Sequence, residues 1–164
     1  MDLLFETLPE SQNRSLFELI SLSRGFFTNT FPLNNFFYSG EECNITFKHG
    51  SWIYLAIKEL LFNAAEAAGP QGEPKLTWKQ NSVFEFKISN TGERFPISIP
   101  TAPPQPFYTE KNRHEGLGLA IVNRICSEMG GILKIEAGHD HLVIISLKLR
   151  LEDTFDEGSI STNC

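Results

Sequence analysis

Residues 109–137 read TEKNRHEGLGLAIVNRICSEMGGILKIEA, and they hold three changes of character in one stretch. Gly116 and Gly118 stand where a basic, irregular segment turns into a helical pattern that runs from about Leu117 to Met129. Gly130-Gly131 then stops the helix, and ILKIEA reads as a strand. A second strand, LVIISLKL, follows with Val143, Ile145, Leu147 and Leu149 on one side. Upstream, residues 93–115 carry five of the nine prolines and show neither helical nor strand periodicity. A loop of that length is usually functional.

Further upstream, KLTWKQ and VFEFKIS read as two strands joined at Asn81-Ser82, with Phe84, Phe86 and Ile88 alternating with polar residues. Before them the spacing predicts a long helix from Trp52 to about Ala68, capped by Ser51 and stopped by Gly69-Pro70. A short strand is expected near Asn44 to Lys48. Residues 11–27 form an amphipathic helix with Ser11 as its cap and Leu16, Phe17, Leu19, Ile20, Phe26 and Phe27 largely on one face. The phenylalanine-rich connector after it, FFTNTFPLNNFFY, is expected to fill the core or cover a sheet edge, rather than to form a partner surface. Strands in this order need a layer of helices on one face. The expected class is α/β, a two-layer sandwich with a mixed sheet covered by helices on one face.

The 164 residues carry a net charge of −6, with 41% hydrophobic and 21% charged residues, a globular composition. Glu152, Asp153, Asp156 and Glu157 supply most of that charge, and the tail 151–164 reads as disordered. A nucleic-acid binder driven by bulk charge is therefore not expected. Three cysteines without a CxxC pair argue against a disulfide framework or a zinc ribbon. No apolar run is long enough to span a bilayer, and MDLLFETLPE lacks the form of a signal peptide. The expectation is a cytoplasmic protein with no membrane contact, and residues 1–40 as a possible route to a homo-oligomer.

Chemistry is expected at three places. In KELLFNAAEA (58–67), Glu59, Asn63 and Glu66 share one helix face. A carboxylate and a carboxamide so placed can hold a divalent ion such as Mg²⁺ and orient water, although such faces are most often simply solvated. In the GLG stretch, glycines let backbone approach a ligand, and the helix N-terminus favours phosphate, with Lys111, Arg113 and His114 beside it. In KISNTGERF (87–95), a buried strand ends at Asn90-Thr91-Gly92.

Together and in this order, the three features resemble the catalytic ATP-binding domain of bacterial sensor histidine kinases, within the wider GHKL ATPases. KELLFNAAEA resembles the N box, SNTGERF the G1 box, PFYTEK the F box and lid edge, and GLGLAIV the G2 box. The resemblance covers about residues 43–150, after an N-terminal helix and connector at 1–42, and makes residues 93–115 an ATP lid. It implies ATP and Mg²⁺ as cofactors. Asn63 would coordinate the metal; Glu59 would help organise the metal or a water, or act as a base; Glu66 would line the same site. Asn90 and Gly92 would meet the adenine, Thr109 and Lys111 the lid's edge, and Gly116, Leu117, Gly118 and Leu119 the phosphates.

Three departures from the pattern matter. Asn90 stands where the G1 box carries an aspartate, so a neutral amide replaces a charged acceptor and base selectivity is expected to relax. Arg94 replaces the box's later glycine. His49, His114, His139 and His141 include no phosphoacceptor upstream of the N box, so phosphate would go to a partner protein in trans, or ATP would be hydrolysed slowly. His139-Asp140-His141 is read as a hairpin turn rather than a metal pair. The alternatives are a nucleotide-regulated or nucleotide-free docking module acting on a signalling partner, and an anti-sigma-type serine kinase.

Overall fold

The first helix begins with a reciprocal cap. In a computed structural model, which describes residues 10–70, 72–91, 118–137, 142–150 and 154–156, a two-residue strand β1 (Arg14–Ser15) leads into α1 (Leu16–Thr30). Ser15 Oγ accepts from the Glu18 N–H at 3.1 Å, and Glu18 Oε2 accepts from the Ser15 N–H at 2.8 Å. Each satisfies a backbone donor that the first turn leaves open. The cap thus falls at Ser15 and not at Ser11, whose hydroxyl lies 2.8 Å from His49 Nδ1 instead. α1 buries Leu16, Leu19, Ser23 and Phe27, one stripe at helical spacing. Phe17 lies off that stripe and is 79% exposed, contrary to the face expected from sequence.

The connector serves both expected roles. Phe27 stacks on Phe36 with centroids 4.6 Å apart and meets Phe31 at 5.3 Å, so these rings extend the core. Its last residues form β2 (Phe37–Gly40), an edge strand on which all four residues are exposed. Next come β3 (Ile45–Phe47) and α2 (Gly50–Ala68). α2 starts earlier than expected, with His49 rather than Ser51 at its N-cap. Trp52 and Ile53 donate to the His49 carbonyl, and the Ser51 N–H is taken by the Gln12 carbonyl at 3.1 Å. Gly50 makes this start possible, because any β-carbon there would collide with Arg14 of β1.

The remaining elements are β4 (Lys75–Gln80), β5 (Val83–Thr91), α3 (Gly118–Glu128), β6 (Ile132–Ala137), β7 (Leu142–Arg150) and β8 (Thr154–Asp156). Five strands make one sheet in the order β2-β4-β5-β7-β6. β2 runs parallel to β4 and the other neighbours are antiparallel, so the sheet is mixed. The helices cover one face, as expected. Ile53, Ile57, Leu60 and Leu61 of α2 and Val122 and Ile125 of α3 close on Leu76, Phe84, Phe86, Ile88, Leu147 and Leu149. A second antiparallel sheet joins β1, β3 and β8. Part of the tail expected to be disordered is thus a strand, held by pairing of Thr154–Asp156 with Phe47–Ile45.

Candidate functional site

α2 is apolar on the side that meets the sheet, so its polar residues gather on the flank. Ile53, Ile57, Leu60, Leu61 and Ala64 are buried, while Glu59, Asn63 and Glu66 are half-buried at its edge. The i, i+4, i+7 spacing stacks the three side chains along two turns. Glu59 and Asn63 face the first residue of α3. A β-carbon built on Gly118 would lie 3.1 Å from Glu59 Oε2, 3.4 Å from Asn63 Nδ2 and 4.0 Å from Asn63 Oδ1. The carboxylate, the carboxamide and the glycine backbone therefore share one small space between two helices.

α3 is positioned to keep that space open. Its apolar stripe, Ala120, Val122, Ile125 and Cys126, is buried, and Leu119 packs partly buried against the same core. The end of α3 that begins with Gly118 lies beside two side chains that offer hard oxygen atoms, and the N-terminal end of a helix favours anions.

Asn90 approaches from the sheet. It continues the inward-facing series Phe84, Phe86, Ile88 near the end of β5, and it is 5% exposed. Its Nδ2 is buried and makes no hydrogen bond among the described residues. Such an amide loses its water without gaining a protein partner, a cost of about 1–3 kcal/mol.

The structure thus brings Glu59, Asn63 and Gly118 together, sets Glu66 and Leu119 on the same two helices, and aims Asn90 inward from β5. Gly92, Thr109, Lys111, Gly116, Leu117 and the lid 93–115 lie outside the described residues, as do Arg94 and the His139-Asp140-His141 turn. Among the described residues, no group of three or more His, Cys, Asp and Glu is arranged to hold a metal, and no helix is long and apolar enough to cross a membrane. A cleft of about 190 Å³ beside the end of α1, lined by Arg24, Phe31 and Phe36, contains none of the expected site residues. Sequence reading missed the fit of Gly118 against Glu59, because nothing in the local pattern of either segment announces contact across 59 positions.

A mixed sheet under helices, with an acid–amide pair on one helix facing the glycine start of another, defines an ATPase-type α/β sandwich. The profile of the histidine kinase-, DNA gyrase B- and HSP90-like ATPases matches residues 49–153, and the chain belongs to that family. The sensory histidine kinase/phosphatase NtrB of Rhizobium meliloti (strain 1021) is 32% identical over 49% of this chain, and that of Rhizobium leguminosarum bv. phaseoli is 32% identical over 48%. The chain matches only 25% of the length of either relative. Among solved structures, the catalytic domain of histidine kinase ThkA superposes with a TM-score of 0.75 at 24% identity, covering 86% of this chain and 95% of that one. The mycobacterial sensor histidine kinase MprB gives 0.74 at 21% identity, covering 85% and 97%. These likenesses carry the fold.

Proposed function

We propose that the chain binds Mg-ATP between α2, α3 and the end of β5, and passes the γ-phosphoryl group to a partner protein or, slowly, to water. The observation that carries this reading is the approach of Glu59 and Asn63 to Gly118, in a space that a β-carbon would narrow. The residues fit the group they are asked to hold. Asn63 Oδ1 is a hard oxygen donor, the kind Mg²⁺ prefers, and the Glu59 carboxylate beside it would organise a water of the metal. When bound, the metal would neutralise charge on the phosphates.

The chain's own groups do the rest. Backbone N–H groups at the start of α3 hold phosphate oxygens, and the absence of a side chain at Gly118 lets them come close. Asn90 meets the base from the sheet side. The γ-phosphorus takes a new bond from a nucleophile on the partner, or from water, while its bond to the ADP oxygen breaks and ADP keeps that electron pair. Glu59 is placed to orient or deprotonate water in the second case. A precedent in kind is histidine kinase ThkA, which has been solved in complex with the response regulator protein TrrA. Magnesium use, a cytoplasmic setting and a two-component role for this chain belong to the same proposal, as do the boundaries 1–42, 43–150 and 151–164.

Calorimetric titration of the full chain with Mg-ATP, beside the Asn63→Ala variant, tests the reading. Binding in the micromolar range that weakens at least about tenfold in Asn63→Ala, a change of about 1.4 kcal/mol or more, is expected. Absence of heat with the folded parent protein would sink it. A second reading is favoured by Asn90 alone: a docking module that binds nucleotide without turnover. It predicts the same heats but no ADP release with any acceptor protein.

A further inference from the structure

The face of the large sheet turned away from the helices carries a pattern that nucleotide binding does not use. Strand register sets its side chains in three rows across β4, β5, β7 and β6: Lys75–Ser89–Ile144–Glu136, Thr77–Lys87–Ser146–Lys134 and Lys79–Glu85–Lys148–Ile132. Five ammonium groups stand against two carboxylates, in a chain whose overall charge is −6. Glu85 already answers three of the lysines, with Lys79, Lys87 and Lys148 at 3.5, 3.9 and 3.8 Å, and is itself 6% exposed. Lys134 is paired with Glu136. The face therefore keeps an excess of positive charge after its internal pairs are made.

At its centre is Ser146, flanked by Lys87 on one strand and Lys134 on the other. Ser146 is 1% exposed, and its hydroxyl makes no hydrogen bond among the described residues. Cross-strand neighbours stand about 4.5–5.5 Å apart, so one carboxylate can take the hydroxyl and both ammonium groups at once. The flexible lysine stems that cover Ser146 can swing outward to make room.

We infer that this open sheet face docks an acidic surface of a partner protein, with a carboxylate seated over Ser146 between Lys87 and Lys134. Charge complementarity selects the occupant. Of the chain's own acidic tail, the described segment Thr154–Asp156 is held elsewhere, paired with β3 in the other sheet. A long polyanion such as duplex DNA, or an anionic bilayer, would meet the repulsion of the whole acidic molecule. A discrete acidic patch is felt only within a Debye length of about 8–10 Å. The rows also include Ile144 and the 62% exposed Ile132, apolar area that suits a protein interface. The edge strand β2 adds one ring to this face, Phe37 opposite Lys75 and three strands away from Ser146, which is not a row of rings on which successive bases could stack.

The test is amide-shift titration of the isotopically labelled full chain with a glutamate octapeptide, beside a short DNA duplex and phosphatidylserine vesicles. Expected are shifts confined to β5, β6 and β7 around Lys87, Lys134 and Ser146, which fade as ionic strength rises. Affinity should fall at least about fivefold in Lys87→Gln/Lys134→Gln and about two- to threefold in Ser146→Ala. Heats of Mg-ATP binding should stay unchanged in both variants, because the face lies opposite the nucleotide site. No shifts on this face, equal peptide binding by the variants, or tighter binding of DNA or vesicles than of the peptide would each overturn the inference.

Discussion

Gly118 and Glu59 approach so closely that a single added carbon on the glycine would stand 3.1 Å from Glu59 Oε2. That separation is tighter than ordinary van der Waals contact, and it sets fold against function at one position. Alanine is the better helix former by about 0.8–1 kcal/mol in a helix interior, and the atom in the way is the end of a flexible side chain. Gly118→Ala should therefore melt within a few degrees of the parent protein while its Mg-ATP affinity drops at least about fivefold, about 1 kcal/mol. Calorimetry of unfolding and of binding on the same sample separates the two. A stable Gly118→Ala that binds as the parent does would show that this gap is not the phosphate site.

Glu59 and Asn63 neighbour the same glycine, yet their roles are separable. If Glu59 handles water, Glu59→Gln keeps a polar oxygen in place and spares binding while turnover falls on the order of a hundredfold, the usual scale for a lost general base. If it is chiefly a metal ligand, affinity and turnover fall together. The proposed role predicts the first pattern, with Mg-ATP affinity held within about threefold. It is checked by measuring both constants on one preparation.

Asn90 offers a trade between stability and selectivity. Its buried Nδ2 finds no partner among the described residues, so Asn90→Leu should cost little stability or even gain some, while losing nucleotide affinity. Asn90→Asp works in the opposite direction. It buries a carboxylate, lowering the unfolding free energy of the nucleotide-free chain by about 1–3 kcal/mol. With nucleotide it supplies a charged acceptor, raising the preference for ATP over GTP about five- to tenfold. Competition binding with both nucleotides and urea unfolding without them test the pair. A parent protein that already rejects GTP strongly would refute the relaxed selectivity expected of the amide.

Most of the architecture was legible because the period-two runs in β4, β5 and β7, the apolar helix faces and the glycine stops after α2 and α3 state their own geometry. What could not be read depends on distant partners. β1 and β8 are too short to show a period and exist only because β3 offers both its edges. α2 begins at Gly50 rather than at a serine cap because Arg14, far away in sequence, leaves space for nothing larger than hydrogen. Ser11 has a good capping side chain, but His49 claims it. At the site, the helix face of Glu59 and Asn63 was readable from spacing, and the glycine start of α3 from composition. Their meeting is tertiary. The lysine-ringed Ser146 went unnoticed although alternation places Lys87, Lys148 and Ser146 on the outer face. A serine between lysines reads as ordinary surface until register shows its hydroxyl buried.

Cys126 makes alkaline pH a probe of the α3 anchor that holds the site. The thiol is buried against the core, and that burial pushes its pKa from the ordinary 9.0 to about 11. The folded state thus keeps a proton that the unfolded chain has already released above pH 9. Where the unfolded state binds fewer protons, stability falls as pH rises. The contribution should be absent below about pH 8 and reach on the order of 2 kcal/mol of lost stability by pH 11. Urea unfolding across that range, with Cys126→Ala as the reference, isolates it. The variant costs stability at neutral pH through its cavity, but its stability should decline less steeply above pH 9. Parallel declines in the two proteins would show that the thiol does not titrate differently on folding, and that other groups set the alkaline limit.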